Sequence, residues 1–265
     1  MTQEELRQKY NPDGSILRRE QLRMLDILLY LDDICKKHGL CYWLSSGTLL
    51  GAVRHGGFIP WDDDLDIDMP KDDYKKLIKI LNSEPERPYS LQMSSTDSFF
   101  VSTYAKLRDH HSLIIEHNEA DRKYKYRGIF IDIFPIARSY KWMADLMGAL
   151  NWRLARKGVN VSNKYQRRVF FICKRFFFSL LKILTGIMTF FPNAPYRLEM
   201  GCGHSKNIRY MGKICPTSTI LFEGYSFPAP ADTNYYLTTL YGNNYMNLPD
   251  LSRIETHASC IKIIK

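Results

Sequence analysis

"SSGTLLGAVRHGGFIPWDDDLDIDM", residues 45–69, decides how the rest of the chain is read. Five aspartates, Asp62, Asp63, Asp64, Asp66 and Asp68, fall within seven positions of a protein whose formal net charge is +9. Two carboxylates about 4 Å apart repel by roughly 4 kcal/mol at an effective dielectric of 20, so a fold that gathers several needs a reason, and a bound cation is the commonest one. "LDIDM" (65–69) alternates apolar and acidic residues at the period of a strand with one buried face. Asp64, Asp66 and Asp68 then share one face, and Leu65, Ile67 and Met69 face the core. Asp64 and Asp66 are close enough to hold one ion, whereas Asp68 lies about 13 Å along the strand from Asp64. Oxygen ligands suit Mg²⁺ or Mn²⁺ better than zinc, and Mg²⁺ completes its shell with water and substrate phosphate. The plainer alternative is an exposed acidic strand edge that resists aggregation.

The residues on either side extend this reading. "LCYWLS" (40–45) reads as a strand, "SGTLLGAVR" (46–54) as a turn into a short helix, and "HGGFIP" as a loop. Ser46, Gly47 and Thr48 place small side chains at a helix N-terminus, where backbone N–H groups cradle a phosphate. Arg54 and His55 stand between that turn and the aspartates, placed to contact a phosphoryl oxygen or a sugar hydroxyl. Further on, "GIFIDIFPI" (128–136) reads as a strand ended by Pro135, with Asp132 as the one charge in an apolar run. A lone carboxylate there is costly unless it is paired or metal-bound. Laid beside 65–69, Asp132 completes a three-carboxylate cluster; at a strand end it would instead point to solvent. Lys106 and Arg108 alternate on another strand, either to bind a phosphate or as edge charges facing solvent.

Elsewhere Ser15 caps a helix that stops near His38 with Gly39 beyond it, and 72–81 reads as a second helix. Strands are expected at 89–93, 99–107 and 112–117, and helices at 141–157, 164–191 and about 231–241, followed by a polar tail. Interspersed helices and strands make an α/β (α+β) fold with a mixed sheet. The 265 residues read as one domain with a basic helical insertion at 138–192. Six scattered cysteines without a C-x-x-C pair and a polar N-terminus point to the cytoplasm.

Eleven Lys/Arg against one acid between Arg138 and Lys182 concentrate essentially all of the net positive charge. Such a block points to nucleic acid, an anionic membrane surface or an acidic polymer. Its aromatics do not interleave with the basic residues, which argues against nucleic acid. On a helical wheel of 169–191 the polar and small residues share one arc, and apart from Phe171 and Phe178 the apolar ones share the other. That segregation describes a helix lying in a membrane interface, the alternative being a helix packed in the core.

The 45–70 stretch, "GIFIDIFPI", and "LFEGYSFPAPADTNYYLTTLYGNNYMNLP" with Arg253 and His257 together resemble the motifs of the LicD family of phosphorylcholine transferases, which includes fukutin-related proteins. The resemblance implies a nucleotidyltransferase-like fold. It also implies metal-dependent transfer of phosphocholine, or a related phospho-alcohol, from a CDP-activated donor to a sugar hydroxyl of a cell-surface glycan. By position it makes Asp64, Asp66 and Asp132 the catalytic metal carboxylates with Asp62 beside them, and gives His257 a substrate contact. CDP-choline is the expected donor, and the expected acceptor is a glycan, lipid-linked where the enzyme works at the inner face of the membrane. Rival expectations are a nucleotidyltransferase that releases pyrophosphate and a non-catalytic nucleotide- or glycan-binding module.

Overall fold

The computed structural model describes residues 2–84, 87–100, 102–116, 121–161, 163–189, 195–198, 208–250 and 258–263. Helices α1 (Gln3–Tyr10) and α2 (Ile16–His38) open the chain. The Ser15 hydroxyl caps α2 by accepting the Arg18 N–H, and Gly39, in the left-handed region at φ 62°, ends it. Of the apolar rows Leu22-Leu25-Leu29 and Leu28-Leu31-Cys35 that period 3.6 puts on one face of α2, Leu25, Leu28, Leu31 and Cys35 are buried, while Leu22 is 42% exposed. After the short β1 (Trp43–Leu44) come α3 (Ser46–His55), β2 (Asp66–Pro70) and α4 (Lys71–Ser83). Next are β3 (Tyr89–Gln92), β4 (Ala105–Asp109), β5 (Ser112–Glu116) and β6 (Phe130–Arg138).

The main sheet runs β1-β2-β6-β4-β3, with β7 (Tyr196–Leu198) also pairing β6. The β2–β6 pair is parallel and the other pairs are antiparallel, so the sheet is mixed. Helix α2 packs on β4 and β6, and α4 on β2 and β6. Leu65, Ile67, Met69, Ile131 and Ile133 are all fully buried in the core between them. The alternation expected for 65–69 therefore holds, with the aspartates on the opposite face. This is an α+β architecture with helices flanking a mixed sheet.

Helices α5 (Lys141–Val159) and α6 (Lys164–Thr189) lie between β6 and β7. The chain continues through α7 (Met211–Ile214), the hairpin of β8 (Ser218–Phe222) and β9 (Tyr225–Ala229), α8 (Thr233–Tyr241) and β10 (Ala258–Ile263). β10 pairs with β5, so the last residues include a strand where a polar tail was expected.

Two strand limits differ from expectation. Strand β6 passes through Pro135 and continues to Arg138. The β4 ladder ends at Ile133 and the β7 ladder begins at Ile136, so the proline sits in the gap between them. The described part of 99–104 turns instead of extending: the Asp97 carboxylate accepts the Phe99 N–H, and its carbonyl accepts the Phe100 N–H. Local turn chemistry overrides an aromatic, β-branched pattern.

Candidate active site

The register of three strands builds the centre of the site. Asp66 of β2 stands beside Asp132 of β6, and Asp132 beside Lys106 of β4, so two carboxylates and an ammonium form one row across the sheet. Lys106 Nζ lies 2.7 Å and 3.0 Å from the two Asp132 oxygens. It also sits 3.4 Å above the Phe130 ring centroid, which fixes its direction. Among the described residues no hydrogen bond reaches the Asp66 carboxylate. Burial and then Asp132, Asp64 and Asp62 push Asp66 well above the ordinary carboxylate range. Asp132 is also raised by burial, with Lys106 and Arg108 opposing.

At the entry to β2 the chain turns, and the Asp62 carboxylate accepts the backbone N–H groups of Asp63 and Asp64. Asp62, Asp63 and Asp64 each bring an oxygen within 4.8 Å of the others. Burial, then Asp64 and Asp63, raise Asp62 to about 7. The set expected from the sequence is thus divided: Asp132 is drawn to Lys106, and Asp63, which strand alternation leaves out, joins Asp62 and Asp64. Two facts together suit a hard divalent cation: an oxygen-only donor set, and a half-buried carboxylate, Asp66, with no bonded donor beside three like charges. Asp68 is only 1% exposed and takes a different part, accepting from Arg209 Nε at 3.1 Å and from the Tyr236 hydroxyl at 2.8 Å.

The turn before α3 serves the carboxylates directly. Ser46 adopts φ 47°, and a Cβ on Gly47 would lie 2.9 Å from Asp62 Oδ2, so glycine lets the helix start this close without displacing that carboxylate. Thr48 is buried, and its hydroxyl accepts the Asp66 N–H at 2.8 Å, so it sets the start of β2 instead of facing a ligand. Gln21 of α2 donates to the carbonyls of Ile59 and Asp62, holding the loop that carries the aspartates.

Three expected ligand contacts are placed otherwise. Arg54 Nη1 donates to the carbonyls of Tyr245 and Asn247, clamping the segment after α8 onto α3. His55 accepts from Arg54 Nε on Nε2, so its Nδ1–H donates to Gln3; burial, then Arg54, lower its pKa to about 4. Arg108 is 1% exposed and donates to Gln92 Oε1 and the Gly128 carbonyl, with its guanidinium 4.4 Å from the Phe130 centroid. Protein partners hold all three groups, in the interior for Arg108 and nearer the surface for Arg54 and His55. His257 lies outside the described residues.

Tyr241, at the end of α8, is a member of the site that sequence reasoning missed. Burial, then the charges of Asp66 and Asp62, raise the pKa of its hydroxyl above the ordinary tyrosine range, although the residue as a whole is 46% exposed. It lies within the C-terminal block that resembles the LicD motifs, but no local spacing singles it out, because α8 reaches the site only through the tertiary fold.

Residues 39–166 match the LicD/FKTN/FKRP nucleotidyltransferase domain. Just under half of the chain is thus similar to the LicD-family domain. The lipopolysaccharide cholinephosphotransferase LicD of Haemophilus influenzae is 35% identical over 119 residues, 44% of this chain and 43% of that protein. The human ribitol 5-phosphate transferase FKRP is 32% identical over 82 residues, 29% of this chain and 17% of that one. The match therefore covers less than half the length of either relative. Within the LicD-domain match lie the turn, all the aspartates, Lys106 and Asp132, while Arg209, Tyr236 and Tyr241 lie beyond it.

Proposed function

We propose that this protein transfers a phospho-alcohol, with phosphocholine the first candidate, from a CDP-activated donor to a sugar hydroxyl of a glycan, in a reaction that depends on Mg²⁺ or Mn²⁺. The row Asp66–Asp132–Lys106 beside the Asp62–Asp64 cluster carries this reading. Support comes from relatives whose names describe transfer of phosphocholine in one case and ribitol 5-phosphate in the other. Asp62, Asp64, Asp66 and Asp132 are the residues that would hold the cation. Bound there, a divalent ion would neutralise charge on the donor phosphates.

The chain's own groups do the rest. Lys106, pinned on Phe130, offers its ammonium to phosphate once Asp132 is engaged elsewhere. The N–H groups at the start of α3 and the Tyr241 hydroxyl donate toward the same oxygens. The acceptor hydroxyl attacks the distal phosphorus, its oxygen–phosphorus bond forms, and the bond to CMP breaks. The hydroxyl proton passes to Asp132 or Asp62, whichever carboxylate is less committed to the cation.

The test incubates the protein with Mg²⁺ and CDP-choline, CDP-ethanolamine, CDP-glycerol, CDP-ribitol or CTP, with and without glycan acceptor. CMP release from one CDP-alcohol is expected, reduced at least about 100-fold in Asp66→Asn and in Asp132→Asn. Pyrophosphate released from CTP would replace this reading with nucleotidyl transfer. Donor binding without turnover, with every acceptor tried, would replace it with a binding module.

A further inference from the structure

The wheel of α6 meets the structure in an unexpected way. Among the described side chains its buried positions are Phe171, Lys174 and Phe178, with Phe171 and Phe178 being the two residues that broke the apolar segregation. Phe178 packs with Met143, Ala144 and Met147 of α5, a small cluster separate from the main core. The broad apolar arc faces water: Val169, Ile172, Phe176, Leu180, Ile183 and Ile187 recur every three or four residues, and Phe176 is 66% and Ile183 62% exposed. A contiguous stripe of this kind marks an interaction surface, unlike singly scattered apolar side chains.

Charge beside the stripe says what covers it. Helix α6 contains six Lys/Arg and no acid. A groove of about 760 Å³ runs along it, lined by Lys123, Lys125, Arg167, Arg168 and Arg175, and by the hydroxyls of Ser94, Ser95 and Ser98. Its single carboxylate, Asp97, is buried and accepts from Gln92 Nε2 and from the N–H groups of Phe99 and Lys125, so it does not offset the cations outward. Ile172 belongs to both the stripe and the groove, which makes them one continuous surface. Stripe-to-stripe pairing with a second copy would bring two such basic grooves together. Among the described residues no helix is long and apolar enough to cross a membrane, so the stripe is not part of a span.

We infer that α6 docks this protein on an anionic phospholipid bilayer, with the Ile172–Ile187 stripe in the interface and the Arg167–Arg175 groove on lipid phosphates. An amphipathic helix of this kind lies in the membrane plane and buries its apolar face at the acyl boundary, while juxtamembrane cations add attraction to anionic headgroups. The inference uses no residue of the candidate active site and stands or falls apart from the proposed reaction.

Vesicle flotation tests it, using phosphatidylcholine alone or mixed with phosphatidylglycerol, at low and high salt. The protein is expected to float with the mixed vesicles at low salt and to be released by high salt. Phe176→Ser/Ile183→Ser should weaken partitioning by about tenfold or more, and Arg168→Ala/Arg175→Ala by roughly fivefold per cation, both with unchanged melting curves. Four results would overturn it: no flotation with anionic vesicles at low salt, equal binding to both vesicle types, full binding by the stripe variant, or a wild-type dimer that this variant converts to monomer.

Discussion

Asp66 carries a charge that the fold around it disfavours. Its half-buried carboxylate stands near Asp132, Asp64 and Asp62 with Lys106 in opposition, so its charge is disfavoured in the folded state. Asp66→Asn is therefore expected to raise the melting temperature of the metal-free protein by roughly 2–4 °C, the equivalent of about 1 kcal/mol in a chain of this size. Adding Mg²⁺ should stabilise the wild type by mass action and leave the variant unmoved. Scanning calorimetry with and without Mg²⁺ measures both, and a metal shift that survives in Asp66→Asn would remove Asp66 from the ligand set.

His55 carries a pH signature of definite sign. Burial and Arg54 depress its pKa from 6.5 to about 4, so between those values the unfolded chain binds more protons than the folded one. Its contribution to stability is complete above about pH 6.5 and is lost as the pH falls toward 4. The raised carboxylates act in the opposite direction, so the wild-type profile mixes the two. Comparing melting temperatures of the wild type and His55→Gln from pH 7 to pH 4 isolates the histidine. The variant should lose less stability over this range, and parallel curves would contradict the Nδ1–H tautomer bridging Arg54 and Gln3.

At the scale of elements, the segments that read correctly are those whose local chemistry agrees with their place in the fold. Helix α2 carries its own cap, stripe and stop; β2 alternates; α3 begins at small residues. Period two put Asp64, Asp66 and Asp68 on one face, and the lone charge in an apolar run singled out Asp132 beside them. Period two could not show that the chain turns at Asp62–Asp64, which is why Asp63 went unnoticed. The row Asp66–Asp132–Lys106 needs the register of three strands, and no single window of sequence contains it. For the same reason the burial of Arg108 was invisible: alternation says that it shares a face with Lys106, not that Gln92 and Gly128 already occupy its donors.

The close start of α3 yields an element-level prediction. In Gly47→Ala the new methyl meets Asp62 Oδ2 at 2.9 Å, and the flexible carboxylate can move aside at modest cost to the fold. Stability should fall by about 1 kcal/mol or less, while turnover falls about tenfold or more because Asp62 leaves its position. Steady-state kinetics beside a thermal melt separates the two effects. Full activity in this variant would show that the position of Asp62 does not matter to the reaction.

Over the whole molecule, the site depends on residues far beyond the aspartate motif. Arg209 and Tyr236 meet on Asp68, joining β2 to segments 141 and 168 residues further along the chain. Burial opposes the charge on Arg209, but Tyr236 and Asp68 outweigh it and raise its pKa above the ordinary arginine value. The same tie anchors α8, whose last residue, Tyr241, feels the charges of Asp66 and Asp62. Removing one member of a buried pair leaves an uncompensated charge, at a cost of about 3–5 kcal/mol. Arg209→Met should therefore lower the melting temperature by roughly 10 °C and reduce turnover as well, because α8 loses its anchor. Asp68→Asn/Arg209→Met removes both charges and keeps a side chain that the Tyr236 hydroxyl can bond, so it should recover much of the lost stability. If the double variant melts no higher than the single one, Arg209 supports the fold through packing, and the pairing with Asp68 is not what joins the C-terminal elements to the sheet.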